Sequence, residues 1–173
     1  MFVGDRGSEC GNVVTNVKHY GTELALVYDK KEHRELAQKT FWDGLNGFPR
    51  VLAMHWFIRY GDPVAESKPF YHHFQLVSKV NRGRPERMDL TIYSDDKSEE
   101  APVARNGNVK VLCHLEASLK SIPTSRIPVR HGKDGLDYYV LKCDIEVVYR
   151  SAETDYTLIH DSVRYKTVTA ENV

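Results

Sequence analysis

Apolar and polar residues alternate in this sequence from Pro69 almost to its end, and this feature constrains the fold more than any other. One run carries apolar side chains at every second position, at Leu141, Cys143, Ile145, Val147 and Tyr149. A second run does the same at Val109, Val111, Cys113, Leu115, Ala117 and Leu119. A period of two residues is typical of strands that bury one face. A slip of one residue would expose each apolar set, so the pattern also favours a single strand register.

Segments that favour tight turns separate these runs. They are rich in glycine, proline, asparagine and aspartate, and they lie at 81–85, 106–108 and 131–135. Short strands joined by such turns predict an all-β, mostly antiparallel β-sandwich, which we place over residues 1–173 as a single domain. The residues before Pro69 alternate less regularly, and the charged segment 29–40 predicts a long, partly helical N-terminal connection.

The charge balance excludes two classes of partner. The 24 Lys and Arg residues offset the 24 Asp and Glu residues, so the chain has no net charge at pH 7. We therefore expect neither nucleic acid nor an anionic membrane surface as a partner. The start of the chain shows no apolar leader segment, and no stretch approaches the ~18 apolar residues of a membrane helix. These features predict a cytoplasmic protein, and they leave its oligomeric state open.

The residues capable of catalysis or metal binding show none of the familiar motifs. Cys10, Cys113 and Cys143 are odd in number and far apart, and we expect them to be reduced. His72 and His73 would point to opposite faces of a strand, so we expect no metal site there. The sequence contains no nucleophile motif and no glycine-rich phosphate loop. It therefore argues against an ATPase, a hydrolase or an oxidoreductase, and it predicts no cofactor.

Several segments keep the order and spacing of one known family. They include Lys-His-Tyr-Gly at 18–21, Trp-Phe-Ile-Arg-Tyr-Gly-Asp-Pro-Val at 56–64 and Leu-Lys-Ser-Ile-Pro at 119–123. From about residue 12 to residue 173, the chain resembles the C-terminal substrate-binding β-sandwich of fungal seventy-kilodalton heat-shock-chaperone-like proteins. The ATPase domain of that family would lie upstream of Gly11, and its helical lid would follow the sandwich. We expect this chain to lack both and to bind no ATP.

Large aromatic residues are concentrated between positions 41 and 56. In the family that the chain resembles, the loops that join the first strands arch over an extended apolar peptide. The corresponding connection here, at about 29–51, carries several large apolar residues, and a tryptophan follows it. Such residues either fill the core or line a cleft. We predict that the following residues bind the ligand: Phe41, Trp42, Leu45, Phe48 and Trp56.

Two functions of different classes fit these observations. The first is ATP-independent binding of a hydrophobic ligand, either an extended hydrophobic peptide or a small apolar molecule. The alternative is a cofactor-free enzyme of a fungal secondary-metabolite pathway, for example a terpenoid pathway, acting as a cyclase of the Diels–Alderase or pericyclase type or as an isomerase. A concerted cyclisation needs only a bound reactive conformer and one hydrogen-bond donor to a carbonyl. The candidate donors are His55, Tyr71 and His72, because imidazole and phenol can donate from an apolar wall.

Overall fold

Residues 12–171 are described by the computed structural model and form twelve β-strands and three short 3-10 helices. The strands are β1 (Val13–Thr15), β2 (His19–Val27), β3 (Phe41–Asp43), β4 (Phe48–Ile58), β5 (Pro63–Ala65), β6 (Pro69–Lys79), β7 (Arg87–Asp95), β8 (Lys110–Ser118), β9 (Val129–His131), β10 (Asp137–Tyr149), β11 (Glu153–His160) and β12 (Val163–Glu171). The 3-10 helices are Arg34–Lys39, Val80–Arg82 and Thr124–Arg126. Within this part of the chain, no helix has the length and apolar character that crossing a bilayer requires.

The strands form two five-stranded sheets and one two-stranded ribbon. The first sheet has the order β3-β4-β2-β7-β8, and the second has the order β12-β11-β10-β6. Strand β9 completes the second sheet by pairing with the first residues of β10, on the edge that β11 occupies farther along. The short strands β1 and β5 pair with each other. All of these pairs are antiparallel, which confirms the predicted all-β, mostly antiparallel class.

The main hydrophobic core lies between the two sheets, which face each other in a sandwich-like arrangement. Most of its deeply buried side chains come from β7 and β8 of the first sheet and from β10 and β11 of the second: Met88, Ile92, Leu115, Leu141, Ile145, Val147, Tyr156 and Leu158. The alternating set predicted in β10 points into this core, since Leu141, Cys143 and Ile145 are each at most 2% exposed. Removal of apolar surface from water is the main favourable term in folding, so this region carries most of the stability.

The two long margins between the sheets differ in how they are filled. Along one margin, β8 and β12 lie side by side, and Leu115 and Ala170 belong to the same buried cluster. Along the other margin, no described strand pairs with the outer edge of β6. A cleft separates β6 there from β2, β3 and β4 of the first sheet. We call these the closed margin and the open margin.

The structure does not support the predicted long, partly helical connection. Between β2 and β4 the one helical segment is the 3-10 helix Arg34–Lys39, and it is followed by the β3–β4 hairpin. The turn of this hairpin is set by Asp43, whose carboxylate accepts hydrogen bonds from the backbone N–H groups of Leu45 and Asn46 at 3.0 and 3.2 Å. Gly47 then adopts a φ of 76°, which residues with a β-carbon rarely do. This local turn chemistry favours a hairpin over a helix.

Candidate functional site

The open margin contains a cleft of about 900 Å³. Three runs of consecutive residues form most of its walls: 24–26 in β2, 41–44 in β3 and the following turn, and 73–79 in β6. The side chains of neighbouring residues in a strand point to opposite faces of a sheet. A cavity that is lined by consecutive residues of a strand therefore lies beside the edge of that strand and not over one face. Strand edges, with their backbone groups, therefore border the cleft.

The outer edge of β6 presents unpaired backbone groups. In an antiparallel ladder, the N–H and C=O groups of alternate residues point to opposite edges. The backbone N–H of Val140 donates to the carbonyl of Pro128 at 2.9 Å. The backbone groups of the even-numbered residues of β10 therefore point toward β9, and those of the odd-numbered residues point toward β6. Leu141 pairs with Leu76, so the backbone groups of the even-numbered residues of β6 point toward β10. The backbone groups of the odd-numbered residues of β6 therefore point away from β10. Their N–H and C=O groups have no hydrogen-bond partner within residues 12–171. The residues concerned are Tyr71, His73, Gln75 and Val77.

Strand β6 is also free of Asp, Glu, Lys and Arg along most of this edge. Its 11 residues begin with Pro69 and end with Lys79, and the run between them is Phe-Tyr-His-His-Phe-Gln-Leu-Val-Ser. Proteins commonly protect an open edge from strand addition with charges, prolines or bulges. In β6 such residues stand only at the two ends, so its centre is a template for one more strand.

Apolar residues of the first sheet line the cleft opposite this edge. Leu24 and Leu26 come from β2, and Phe41 and Trp42 come from β3. Trp42 is 65% exposed and Phe41 is 45% exposed. Aromatic side chains of this kind supply much of the free energy of binding when a partner covers them. The cleft thus combines an apolar wall with a row of backbone hydrogen-bonding groups.

The turn of the β3–β4 hairpin borders one end of the cleft and docks onto the second sheet. The backbone N–H of Asp134 donates to the carbonyl of Gly44 at 3.0 Å, and Leu45 packs against Tyr138. A β-carbon on Gly44 would overlap the carboxylate of Asp134 and the hydroxyl of Tyr138. Glycine at this position therefore permits the contact that holds β3 opposite β6.

The hydroxyl of Tyr138 in this contact donates to Asp134 Oδ2 at 2.7 Å. The hydrogen bond to Asp134, with burial as a smaller cause, raises the pKa of Tyr138 to about 12, and the same hydrogen bond lowers the pKa of Asp134. At neutral pH the phenol is therefore protonated and the carboxylate is ionised. The pair stabilises the docked turn and is not suited to exchange a proton with a ligand.

Three cationic residues line this end of the cleft: Arg50, Lys79 and Arg82. Arg50 donates from Nε to Asp43 at 2.6 Å and from Nη1 to the carbonyl of Ala25 at 2.7 Å, so its charge is compensated. The ammonium of Lys79 lies 6.0 Å from the centre of the Tyr138 ring. Neither Lys79 nor Arg82 forms an ion pair with another residue of the described part of the chain.

Two of the predicted donors, His55 and His72, lie together between the sheets. Their ring centres are 5.6 Å apart, and the His72 ring lies 4.4 Å from that of Phe57 and 5.5 Å from that of Phe70. Burial, with neighbouring His55 as a smaller cause, lowers the pKa of His72 to about 4. Burial also lowers the pKa of His55. Both imidazoles are therefore neutral at pH 7, and Nε2 of His72 is buried without a hydrogen-bond partner among the described residues.

The third predicted donor, Tyr71, does not join the two histidines. Neighbouring residues in β6 face opposite sides of the sheet, so Tyr71 lies on its outer face. There its hydroxyl donates to Glu146 at 2.8 Å, and the same carboxylate pairs with Arg164. His73, on the same outer face, contacts Asp144 at 2.5 Å. Strand alternation thus separates Tyr71 from His72 and commits its hydroxyl to a cross-strand network.

The structure divides the predicted aromatic block between two environments. Phe41 and Trp42 line the cleft. Leu45 is 3% exposed in the docked turn, and Trp56 is 8% exposed and packs on the outer face of the first sheet. Phe48 is partly buried and does not line the cleft. The first residues of the block therefore border a cleft, whereas Leu45 and Trp56 belong to hydrophobic clusters.

The two cysteines within residues 12–171 are poorly suited to chemistry. Cys113 is half-buried and Cys143 is buried, and both are free thiols. Burial raises the pKa of Cys113 to about 11 and that of Cys143 to about 12, which keeps both protonated and unreactive. Cys10 lies outside the described residues. Within residues 12–171, no group of three or more His, Cys, Asp or Glu side chains is placed to hold a metal ion.

Sequence reasoning misses two walls of the cleft, at 24–26 in β2 and at 73–79 in β6. The uncharged run at 70–78 is a signal that helps to find the second wall, because an open edge strand without charges is unusual. That signal has meaning only once β6 is known to be an edge strand. Strand order depends on pairings between distant segments, so the local pattern does not contain it.

Comparison with protein-family models, with curated proteins and with solved structures found no match to this chain. The resemblance to the substrate-binding region of a heat-shock chaperone therefore stays a prediction from the order and spacing of short segments. The geometry of the cleft is the independent guide to function.

Proposed function

We propose that this chain binds an extended hydrophobic peptide, without ATP, by adding it as a strand to the outer edge of β6. The observation that carries the proposal is the unpaired backbone edge of β6, which faces an apolar wall across an open cleft. Strand addition uses backbone hydrogen bonds for affinity and pockets for alternate side chains for specificity. The cleft offers both.

A peptide bound in this way would direct its side chains alternately to two sides. Those that point between the sheets would contact Leu24, Leu26 and Trp42, while the others would remain near solvent. The part of β6 that lines the cleft, 73–79, corresponds to about 23 Å of extended chain at ~3.3 Å per residue. The cleft therefore suits a short segment that has apolar residues at every second position.

The resemblance to the substrate-binding β-sandwich of a chaperone supports the same class of ligand, because that family binds extended apolar peptides. The sequence contains no glycine-rich phosphate loop, so we expect binding without nucleotide control. Affinity and release would then depend only on peptide concentration and on the strength of the contacts in the cleft.

Backbone N-methylation of the peptide tests the proposal directly. A peptide that alternates leucine with threonine and matches the length of 73–79 is titrated against the protein while tryptophan fluorescence is recorded, since Trp42 is exposed in the cleft. N-methylation of the residues that donate to β6 should abolish binding, and N-methylation of the intervening residues should preserve it, because only one set of N–H groups faces a neighbouring strand. Equal affinities for the two methylated peptides would contradict strand addition.

A matched pair of variants tests the β6 edge itself. Gln75→Pro removes an N–H group that points away from β10, and it leaves the ladder to β10 in place because even-numbered residues form those bonds. Gln75→Ala keeps the N–H group. We expect Gln75→Pro to lose peptide binding and Gln75→Ala to retain it, with thermal melting confirming that both variants are folded. Unchanged affinity in the proline variant would contradict the proposed mode.

One observation favours a second candidate function, a cofactor-free cyclase or isomerase. His72 carries a buried Nε2 without a partner among the described residues, and it stands between two cavities. Phe70 lines the smaller cavity, of about 330 Å³, and Phe74 lines the cleft. A neutral imidazole at this place can donate a hydrogen bond to the carbonyl of an apolar substrate and stabilise charge that develops on it.

A substrate that holds a diene and an unsaturated carbonyl in one chain tests this second candidate. Its rate of cyclisation is measured with and without the protein. His72→Phe should lower any protein-dependent rate by about 10–10³-fold, the scale of one lost donor, whereas Gln75→Pro should leave that rate unchanged. A rate no faster than that of the uncatalysed reaction would eliminate the enzyme hypothesis for this substrate class. Such a result would not bear on the proposal of peptide binding.

A further inference from the structure

The cationic end of the cleft indicates what the ligand carries, an inference that rests on the proposed peptide binding. We infer that the bound peptide places a carboxylate beside Lys79 and Arg82, where β6 continues into the 3-10 helix Val80–Arg82. That carboxylate is either an Asp or Glu side chain or the C-terminal carboxylate of the peptide. The chain would thus select peptides with an acidic group at one end of an apolar segment.

Positive charge at this end is not cancelled by the cleft itself. Among the residues that line the cleft, Asp43 is the one carboxylate, and Arg50 binds it at 2.6 Å. Lys79 and Arg82 remain without an ion pair among the described residues. Two cations that share one end of a cleft favour an anionic group on the ligand.

One further carboxylate, Asp134, is near enough for the charge of Lys79 to lower its pKa. This carboxylate already accepts hydrogen bonds from the Tyr138 hydroxyl at 2.7 Å and from the backbone N–H of Leu136 at 3.1 Å. Its single charge does not balance two cations. At this end of the cleft, the three cations Arg50, Lys79 and Arg82 therefore exceed the carboxylates Asp43 and Asp134 by one charge.

The remainder of the cleft has the opposite character. Its walls carry no Asp, Glu, Lys or Arg, and the apolar side chains among them include Leu24, Leu26, Phe41, Trp42 and Phe74. A charged group of the ligand placed there would lose hydration without gaining an Asp, Glu, Lys or Arg side chain of opposite charge. The cleft therefore orients its ligand, with the carboxylate at the Lys79 end and the apolar segment along β6.

The orientation of the added strand determines which carboxylate meets the two cations. Lys79 ends β6, and Arg82 follows it. An antiparallel peptide brings its N-terminal end to this place, so an Asp or Glu side chain near that end would supply the carboxylate. A parallel peptide brings its C-terminus there, and the terminal carboxylate would serve. Antiparallel pairing is slightly more stable per residue, which favours the side chain.

Two pairs of otherwise identical alternating peptides test the inference. In the first pair, the N-terminus is acetylated and the residue beside it is Glu in one peptide and Gln in the other. In the second pair, one peptide has a free C-terminal carboxylate and the other has an amidated C-terminus. We expect the carboxylate member of one pair to bind about two- to tenfold more tightly, and this preference to shrink as salt is raised. The double variant Lys79→Gln, Arg82→Gln should lose the preference and still bind the neutral peptides. The control Arg126→Gln removes an exposed arginine outside the cleft and should retain the preference for the carboxylate peptide.

The outcomes separate this inference from the proposed function. Equal affinities within both pairs would overturn the carboxylate assignment and leave strand addition intact. A preference that survives in the double variant would also overturn it, because the charge would then be recognised elsewhere. If no alternating peptide binds, the proposed function fails first, and the N-methylation experiment reports that failure independently of charge.

Discussion

The closed and open margins lie between the same two sheets, yet they treat their strand edges differently. At the closed margin, β8 and β12 lie side by side, and Leu115 and Ala170 share one buried cluster. At the open margin, β6 faces β2 and β3 across a cleft and keeps a row of unpaired backbone groups. The backbone groups of an open edge lack hydrogen bonds to a neighbouring strand and can pair with another chain, so an open edge favours a binding role. The packed strand edges and the proposed binding edge therefore lie at opposite margins of the sandwich.

One residue pair of the second sheet shows the change from the main core to the open margin. Ile145 of β10 pairs with His72 of β6. Ile145 is 1% exposed and belongs to the main core, whereas His72 is half-buried beside a second imidazole and two phenylalanines. The Ile145 side chain contributes to stability by excluding water, whereas the His72 imidazole places a polar atom near the open margin.

The comparison predicts its largest effect on stability at Ile145. Ile145→Ala removes a core side chain and leaves a cavity, which should lower the free energy of unfolding by about 2–5 kcal/mol. Equilibrium unfolding in urea measures the change. A loss below about 0.5 kcal/mol, the range of ordinary surface substitutions, would show that the core between the sheets does not carry the stability assigned to it.

A smaller effect is expected at Gly44, in the turn that spans the open margin. Gly44→Ala would force the new β-carbon against Asp134 and Tyr138, which should cost about 1–3 kcal/mol in unfolding free energy. Gly107→Ala is the matched control, because nothing lies within 4 Å of a β-carbon there. The same urea titration applies to both. Equal stability of the two variants would mean that the turn does not dock tightly on the second sheet.

A third effect depends on pH and arises from His72. Its pKa is about 4 in the folded protein, against 6.5 for an ordinary histidine. The folded state therefore binds fewer protons than the unfolded chain between these values, so stability is unaffected above pH 6.5 and falls as pH decreases toward 4. Solvent weakens the effect because the ring is only half-buried.

His72→Phe should remove part of this pH dependence. The free energy of unfolding of the variant, measured at neutral pH and at about pH 5, should decrease less on acidification than that of the parent protein. His55, whose pKa is lowered by burial, acts in the same direction and remains in both proteins. Identical slopes for variant and parent would show that the interior of the open margin does not exclude water from His72.

The smallest effect on stability is expected at Trp42. This side chain is 65% exposed, so Trp42→Ala should change the free energy of unfolding by no more than about 0.5 kcal/mol. The same variant should bind the alternating peptide much more weakly, because the apolar wall loses its largest exposed side chain. A large loss of stability with unchanged binding would reverse the roles assigned to the two margins.

Much of the strand content follows from local pattern alone. The alternation in β10 predicts the inward face of Leu141, Cys143 and Ile145, because this face meets the core and the middle of the other face carries Lys142, Asp144 and Glu146. β4 offers no such contrast, since Trp56 packs on the outer face while its neighbour His55 points between the sheets. Apolar residues on both faces of a strand leave its orientation ambiguous.

The sequence by itself determined that this chain forms antiparallel strands, that alternation favours one register for them, that large aromatic residues are concentrated early and that the motifs of familiar cofactors are missing. Only the tertiary structure decided that β6 is an edge strand, that Phe41 and Trp42 line the cleft beside it, and that Tyr71 and His72 lie on opposite faces of β6. The physical reason is one of range. Alternation and turn chemistry act over a few residues, whereas strand order, and with it the position of an open edge, is set by the packing of segments that are distant in the chain.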